Sequence, residues 1–145
     1  MPLKKEIKLK LVRHLTFLEY ELQDWGQFRS YTWEQYHTNR DQRRNIERWI
    51  ENIINSSIDI SKIILATENI PLPETYKEII ISLSLLPGFE KAYTEKLSEW
   101  VKLRNIISHE YLDVKWRAMN QFVQDAEPFY QTFLERVKLY FKDRL

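Results

Sequence analysis

Between Ile46 and Leu65 the chain places apolar side chains around so much of a helical circumference that the segment is stable only when surrounded. Ile46, Trp49, Ile50, Ile53, Ile54, Ile58, Ile60, Ile63, Ile64 and Leu65 recur at spacings of three and four. The stripe they form is wider than a single neighbour would cover, which puts this helix at the centre of a bundle. Asp41 is the expected N-cap, and the helix is expected to run to about Glu68. Pro71 and Pro73 then end it.

The rest of the chain reads the same way. Ile7, Leu11, Leu15, Leu18 and Leu22 predict a helix from about Lys4 to Gln27, weakened near its end by Gly26. Ser30 to Asn39 is polar and aromatic and predicts a turn or a single helical turn. Glu74 to Leu86 predicts a shorter helix, stopped by Pro87 and Gly88. Phe89 to about Tyr111 predicts another. Asp113 is the expected cap of a last helix over Val114 to Lys142, with Pro128 kinking or dividing it. Two Gly and five Pro leave few tight turns. One all-α domain over residues 1–145, a bundle of about five main helices, is the expectation.

Composition removes several function classes. Cysteine is absent, which excludes disulfides, thiolate metal sites and a cysteine nucleophile. It is compatible with a reducing cytosol, and a cytoplasmic location is expected. The start, MPLKKEIKLKLVRHL, alternates charged and apolar residues, so no signal peptide is expected. No apolar run approaches a membrane span, so no membrane association is expected. The net charge is +1, so any RNA contact must come from a local basic patch.

Arg104 to Tyr111 reads RNIISHEY, and the chemistry gathers there. On a wheel of about 100° per residue, Leu97, Trp100, Val101, Leu103, Ile107 and Leu112 share one broad arc. Arg104 falls inside it, beside Ser108 and Tyr111. An arginine on an apolar face must find an acid, reach past the face, or point into a cleft or a subunit interface. Asn105 and His109 are spaced i, i+4 and share a flank, where the amide can orient the imidazole. Arg104 and His109 are about 140° apart on an ideal helix. They converge on one phosphate only if the helix ends or tightens near His109, or if two copies of the chain meet. Spacing does not choose between these. Arginine and histidine suffice for metal-free phosphodiester cleavage: one is a permanent cation, the other moves protons near neutral pH. The ordinary alternative is a solvated pair, since both residue types favour helix C-termini. Tyr111, read from its wheel position alone, is a core aromatic.

RNIISHEY resembles the Arg-x4-His-x-Tyr signature of HEPN-domain ribonuclease toxins, specifically the HepT-like toxins of HEPN–MNT toxin–antitoxin pairs. RRNIERWIENIINSSIDISKIILA, from Arg43 to Ala66, resembles that family's second helix. PETYKEIIISLSLLPGFEKAYTEKLSEWVKLRN resembles the segment leading into the motif. The first forty residues match only in helical pattern. The resemblance implies a HEPN-like homodimer whose motif helices face each other across a cleft, and metal-independent RNA cleavage without a cofactor. It implies His109 as acid/base, Arg104 as the group that holds the phosphate and stabilises transition-state charge, and Asn105 as a supporting residue. It also implies a type VII-like system in which an MNT nucleotidyltransferase antitoxin transfers AMP from ATP to Tyr111. The added bulk and negative charge would then block RNA.

Two other readings use the same residues. The chain can be a non-catalytic helical subunit whose Arg104 face dimerises or binds the nucleotidyltransferase. It can also be a nucleotide-binding domain without turnover. Outside the motif, Arg40, Arg43, Arg44 and Arg48 are candidates for contact with RNA or a partner, though such charge runs are commonly solvated faces. His14 and His37 have no carboxylate or second histidine at ligand spacing, and no metal is assigned.

Overall fold

The computed structural model describes residues 3–144, and among these the regular secondary structure is entirely helical. In chain order the helices are α1 (Lys5–Leu22), α2 (Trp25–Arg29), α3 (Trp33–Thr38), α4 (Arg40–Thr67), α5 (Tyr76–Ser82), α6 (Lys91–Glu99), α7 (Leu103–His109), α8 (Leu112–Asp125) and α9 (Glu127–Lys142). Short 3-10 turns cover Leu83–Leu85 and Trp100–Lys102. Residues 1, 2 and 145 of the expected single domain lie outside those described.

The central-helix expectation holds. α4 is 28 residues long, which makes it about 42 Å from end to end. It packs against α1, α3, α5 and α7. Ile46, Ile50, Ile53, Ile54, Ile60, Ile64 and Leu65 are fully buried on it. Ser57 and Ser61 are also buried and let the neighbours approach closely. Their hydroxyls donate back to the Ile54 and Ser57 carbonyls at 2.7 Å each, so neither hydroxyl is stranded. α9 lies on α1, α6 and α8 and closes the bundle.

The core is aromatic where α1, α2, α4, α8 and α9 converge. Trp25 stacks on Phe122 at 5.2 Å, and Phe28 on Trp49 at 4.4 Å. Both indoles are anchored: Trp25 Nε1 donates to the Val123 carbonyl at 2.8 Å and Trp49 Nε1 to the Glu21 carbonyl at 2.7 Å. Buried tryptophans with satisfied N–H groups fix helix positions as well as filling space. The two ends of the described chain meet, with Leu3 N–H donating to the Arg144 carbonyl at 3.1 Å and Arg144 paired to Glu68.

Several expected boundaries move. The first helix stops at Leu22, and Gly26 lies inside α2 rather than terminating anything. Thr32 and Gln35 form a capping box that turns the polar aromatic stretch into α3. Asn39, not Asp41, caps α4: its side chain accepts from Gln42 N–H at 3.0 Å, and Asp41 sits in the first turn near the positive end of the dipole. Asp113 likewise sits in the first turn of α8, and Tyr111 occupies the cap position without a side-chain cap bond. The last helix is divided at Ala126, and Pro128 lies at the start of α9, where its missing N–H costs nothing. No helix among the described residues is long and apolar enough to cross a membrane.

Candidate functional site

The motif helix is not the single element that its periodicity predicts. α6 tightens into the 3-10 turn at Trp100–Lys102 before α7 begins at Leu103. The apolar face continues through all three pieces, with Leu97, Trp100, Leu103 and Ile107 buried. α7 therefore seats on α4 and α8. It ends at His109: Glu110 is extended at φ −92°, ψ 168° and Tyr111 at φ −76°, ψ 163°. Tyr111 thus leaves the helical wheel altogether. It is 83% exposed and is not the core aromatic that its spacing suggests.

Arg104 is half-buried, and a ring rather than an acid receives it. Its guanidinium carbon lies 4.5 Å from the centroid of Tyr76. Lys62 on α4 brings a second cation to the same ring at 5.1 Å. Such contacts stabilise by about 0.5–2 kcal/mol. Tyr76 is the first residue of α5, fixed there by Thr75, whose hydroxyl accepts from Glu78 N–H at 3.2 Å.

Around Arg104 a groove of about 710 Å³ opens between the start of α5 and the α6–α7 segment. Arg104, Asn105, Lys102, Lys77, Thr75 and Glu99 are among its lining residues. His109 is not. The helix persists through His109, so the separation of about 140° from Arg104 stands within one chain. Asn105 lies between them on the wheel, with the groove on one side and the exposed imidazole on the other. The Ser108 hydroxyl is committed to the Arg104 carbonyl at 2.9 Å.

None of the arginines at the start of α4 lines this groove. Arg40, Arg43 and Glu47 share a face, whereas Arg48 turns about 100° beyond Glu47 and Arg44 lies between. Glu47 accepts from the Tyr36 hydroxyl and pairs with Lys115 of α8 at 3.8 Å. Burial, with the Glu47 carboxylate beside it, pushes the Tyr36 phenol well above its ordinary range. The buried Nε of Arg43 has no hydrogen-bond partner. His37 stacks on Trp33 at 4.9 Å, and His14 lines a shallow groove with Phe17 and Asn52. Among the described residues no three His, Asp or Glu side chains are grouped to hold a metal ion. Sequence reasoning missed Tyr76, Trp33 and Trp116. Only tertiary packing brings Tyr76 to Arg104, whereas the run of aromatics ahead of the arginines was visible as the segment TWEQYHTNRDQRR.

The family described as Ribonuclease HepT-like matches residues 18–137. No curated protein matches the chain. Among solved structures, a tri-AMPylated Shewanella oneidensis HEPN toxin in complex with MNT antitoxin is similar, with a TM-score of 0.76 at 16% identity, covering 89% of this chain and 96% of that one. A toxin–antitoxin complex with AMP-PNP is similar at a TM-score of 0.75 and 16% identity, covering 89% and 97%. At these identities the structural likeness speaks for the fold. The family match spans most of the chain and includes both the central helix and the RNIISHEY motif, so the chain belongs to the HepT-like ribonuclease family.

Proposed function

We propose that this chain is a metal-independent endoribonuclease toxin, silenced by AMP transfer to Tyr111 from an MNT-type nucleotidyltransferase. The observation that carries the reading is the layout of α7 in a HepT-like ribonuclease chain. Arg104 and Asn105 line a groove, and His109 and Tyr111 stand exposed where the helix ends. The Arg104 guanidinium holds the scissile phosphate and meets the charge that develops on its oxygens. His109 takes the proton of the ribose 2′-OH as that oxygen attacks the adjacent phosphorus. A bond forms from the 2′-oxygen to phosphorus and the bond to the 5′-oxygen breaks. The departing 5′-oxygen takes up a proton, from an imidazolium or from water. The products are a 2′,3′-cyclic phosphate and a 5′-hydroxyl.

Within one chain Arg104 and His109 diverge, so the reading includes a homodimer. Two α7 segments facing each other would bring the imidazole of one copy towards the guanidinium of the other. AMP on Tyr111 places a phosphate and a nucleoside two residues from His109, where they obstruct RNA and repel its backbone.

The test is RNA cleavage by purified protein in excess EDTA, beside His109→Ala prepared the same way. Cleavage that ends in 2′,3′-cyclic phosphate and disappears in the variant is the expected result. An unmodified, folded wild type that cleaves none of a broad panel of messenger and transfer RNAs would replace this reading with that of a non-catalytic interaction subunit.

A further inference from the structure

α3 is a short outer helix held by its capping box and by the buried Tyr36, yet it leaves a tryptophan in the open. Trp33 is 38% exposed. Its indole stacks on the exposed ring of His37, with centroids 4.9 Å apart and planes 24° from parallel. Trp116 of α8 stands behind it at 6.5 Å, and Tyr36 continues the row at 5.4 Å from Trp116. Four rings from two helices thus pack together, with Trp33 and His37 exposed at one end and Tyr36 buried at the other. A tryptophan needed only for the core would be turned inward, as Trp25 and Trp49 are.

The charge beside this row is suited to an anion. Arg40, Arg43 and Arg44 follow α3 directly on the first two turns of α4. Glu47 is already engaged by Lys115 and Tyr36, and the three arginines outnumber the two remaining carboxylates of these turns, Glu34 and Asp41. Trp116 belongs to α8, the helix that follows the motif and is capped by Tyr111.

We propose that the Trp33–His37 stack is a platform for an unpaired base of single-stranded RNA, with Arg40, Arg43 and Arg44 on the adjoining phosphates. The proposal deepens the ribonuclease reading by naming a second contact for its substrate. Nucleobases stack on exposed aromatic rings irrespective of sequence, because every base has a π-face. The arginines supply the salt-dependent part of binding and the rings the part that requires a base. The site thereby selects single-stranded over duplex RNA, since a base inside a duplex has both faces covered by its stacked neighbours.

Binding tests it without reliance on cleavage. His109→Ala protein is titrated with a short unstructured RNA and with an abasic oligonucleotide of the same length, by fluorescence anisotropy. Trp33→Ala in that background should weaken binding to the RNA about tenfold. It should leave binding to the abasic strand unchanged, and Trp33→Phe should stay within about threefold of the parent. Unchanged RNA affinity in Trp33→Ala overturns the platform. So does an equal loss on both strands, or a loss confined to binding of the nucleotidyltransferase. Normal base-dependent binding with no cleavage by wild type would sink the ribonuclease reading and leave the platform standing.

Discussion

The guanidinium of Arg104 rests over the ring of Tyr76, its central carbon 4.5 Å from the ring centroid. This contact answers the question raised by an arginine on the apolar arc of its helix. The flat cation lies against a flat ring, keeping its edge N–H groups available to a ligand in the groove. If the ring positions the guanidinium, Tyr76→Leu should lower kcat/KM for RNA cleavage by about three- to thirtyfold. Tyr76→Phe, which keeps the ring, should cleave nearly as well as wild type. Full activity in the leucine variant would show that Arg104 finds its place without Tyr76.

Trp25 closes an end that α8 cannot close itself. α8 stops at Asp125, and the Val123 carbonyl receives the indole N–H at 2.8 Å. Trp25→Phe removes that donor and leaves a buried carbonyl unpaired, at a cost of about 1–3 kcal/mol. Thermal unfolding should occur roughly 3 to 8 °C lower. A melting temperature equal to wild type would mean that another donor, or water, reaches that carbonyl.

The sequence disclosed what depends on periodicity and obscured what depends on tertiary contact. The stripe from Ile46 to Leu65 identified the central helix because burial on nearly all sides leaves a pattern in the residues themselves. Asn39 and Asp41 are both capable caps, and only the packing of α3 immediately before α4 decides for Asn39. The break at Glu110 has neither glycine nor proline to announce it, so the wheel carried Tyr111 onto an apolar arc that it never joins. Arg104 was conspicuous from its helical position, but its partner Tyr76 lies on another helix, and no spacing rule links the two. Trp33 shows the same limit: its place in a row with Trp116 arises only where α3 meets α8.

Burial raises the phenols of Tyr36, Tyr93, Tyr130 and Tyr140, the last to about 12. An unfolded chain releases these protons near pH 10, roughly the ordinary phenol value. The folded chain retains them longer, so above that pH the unfolded state binds fewer protons and stability falls. The contribution is fully present below about pH 10 and is lost as pH rises through that value towards the folded one. Melting temperature should therefore decline across the alkaline range, with tyrosinate absorbance from these four residues appearing only as far-UV ellipticity is lost. Ionisation of all four with the helices intact would contradict their burial.

Tyr111 is 83% exposed, and its backbone is extended between two helices. A nucleotidyltransferase active site can reach a hydroxyl in that setting without unfolding either helix, which a core tyrosine would not allow. Tyr111→Phe removes the proposed acceptor oxygen and little else, so its melting temperature should match wild type within about 2 °C. Incubated with ATP and the MNT-type nucleotidyltransferase, wild type should gain the mass of AMP and the variant should gain none. The variant should also continue to cleave RNA in the presence of the active nucleotidyltransferase, because the AMP that obstructs RNA beside His109 is never installed. If mass spectrometry finds the same addition on Tyr111→Phe, the acceptor is a different residue, and the exposure of Tyr111 must serve another purpose.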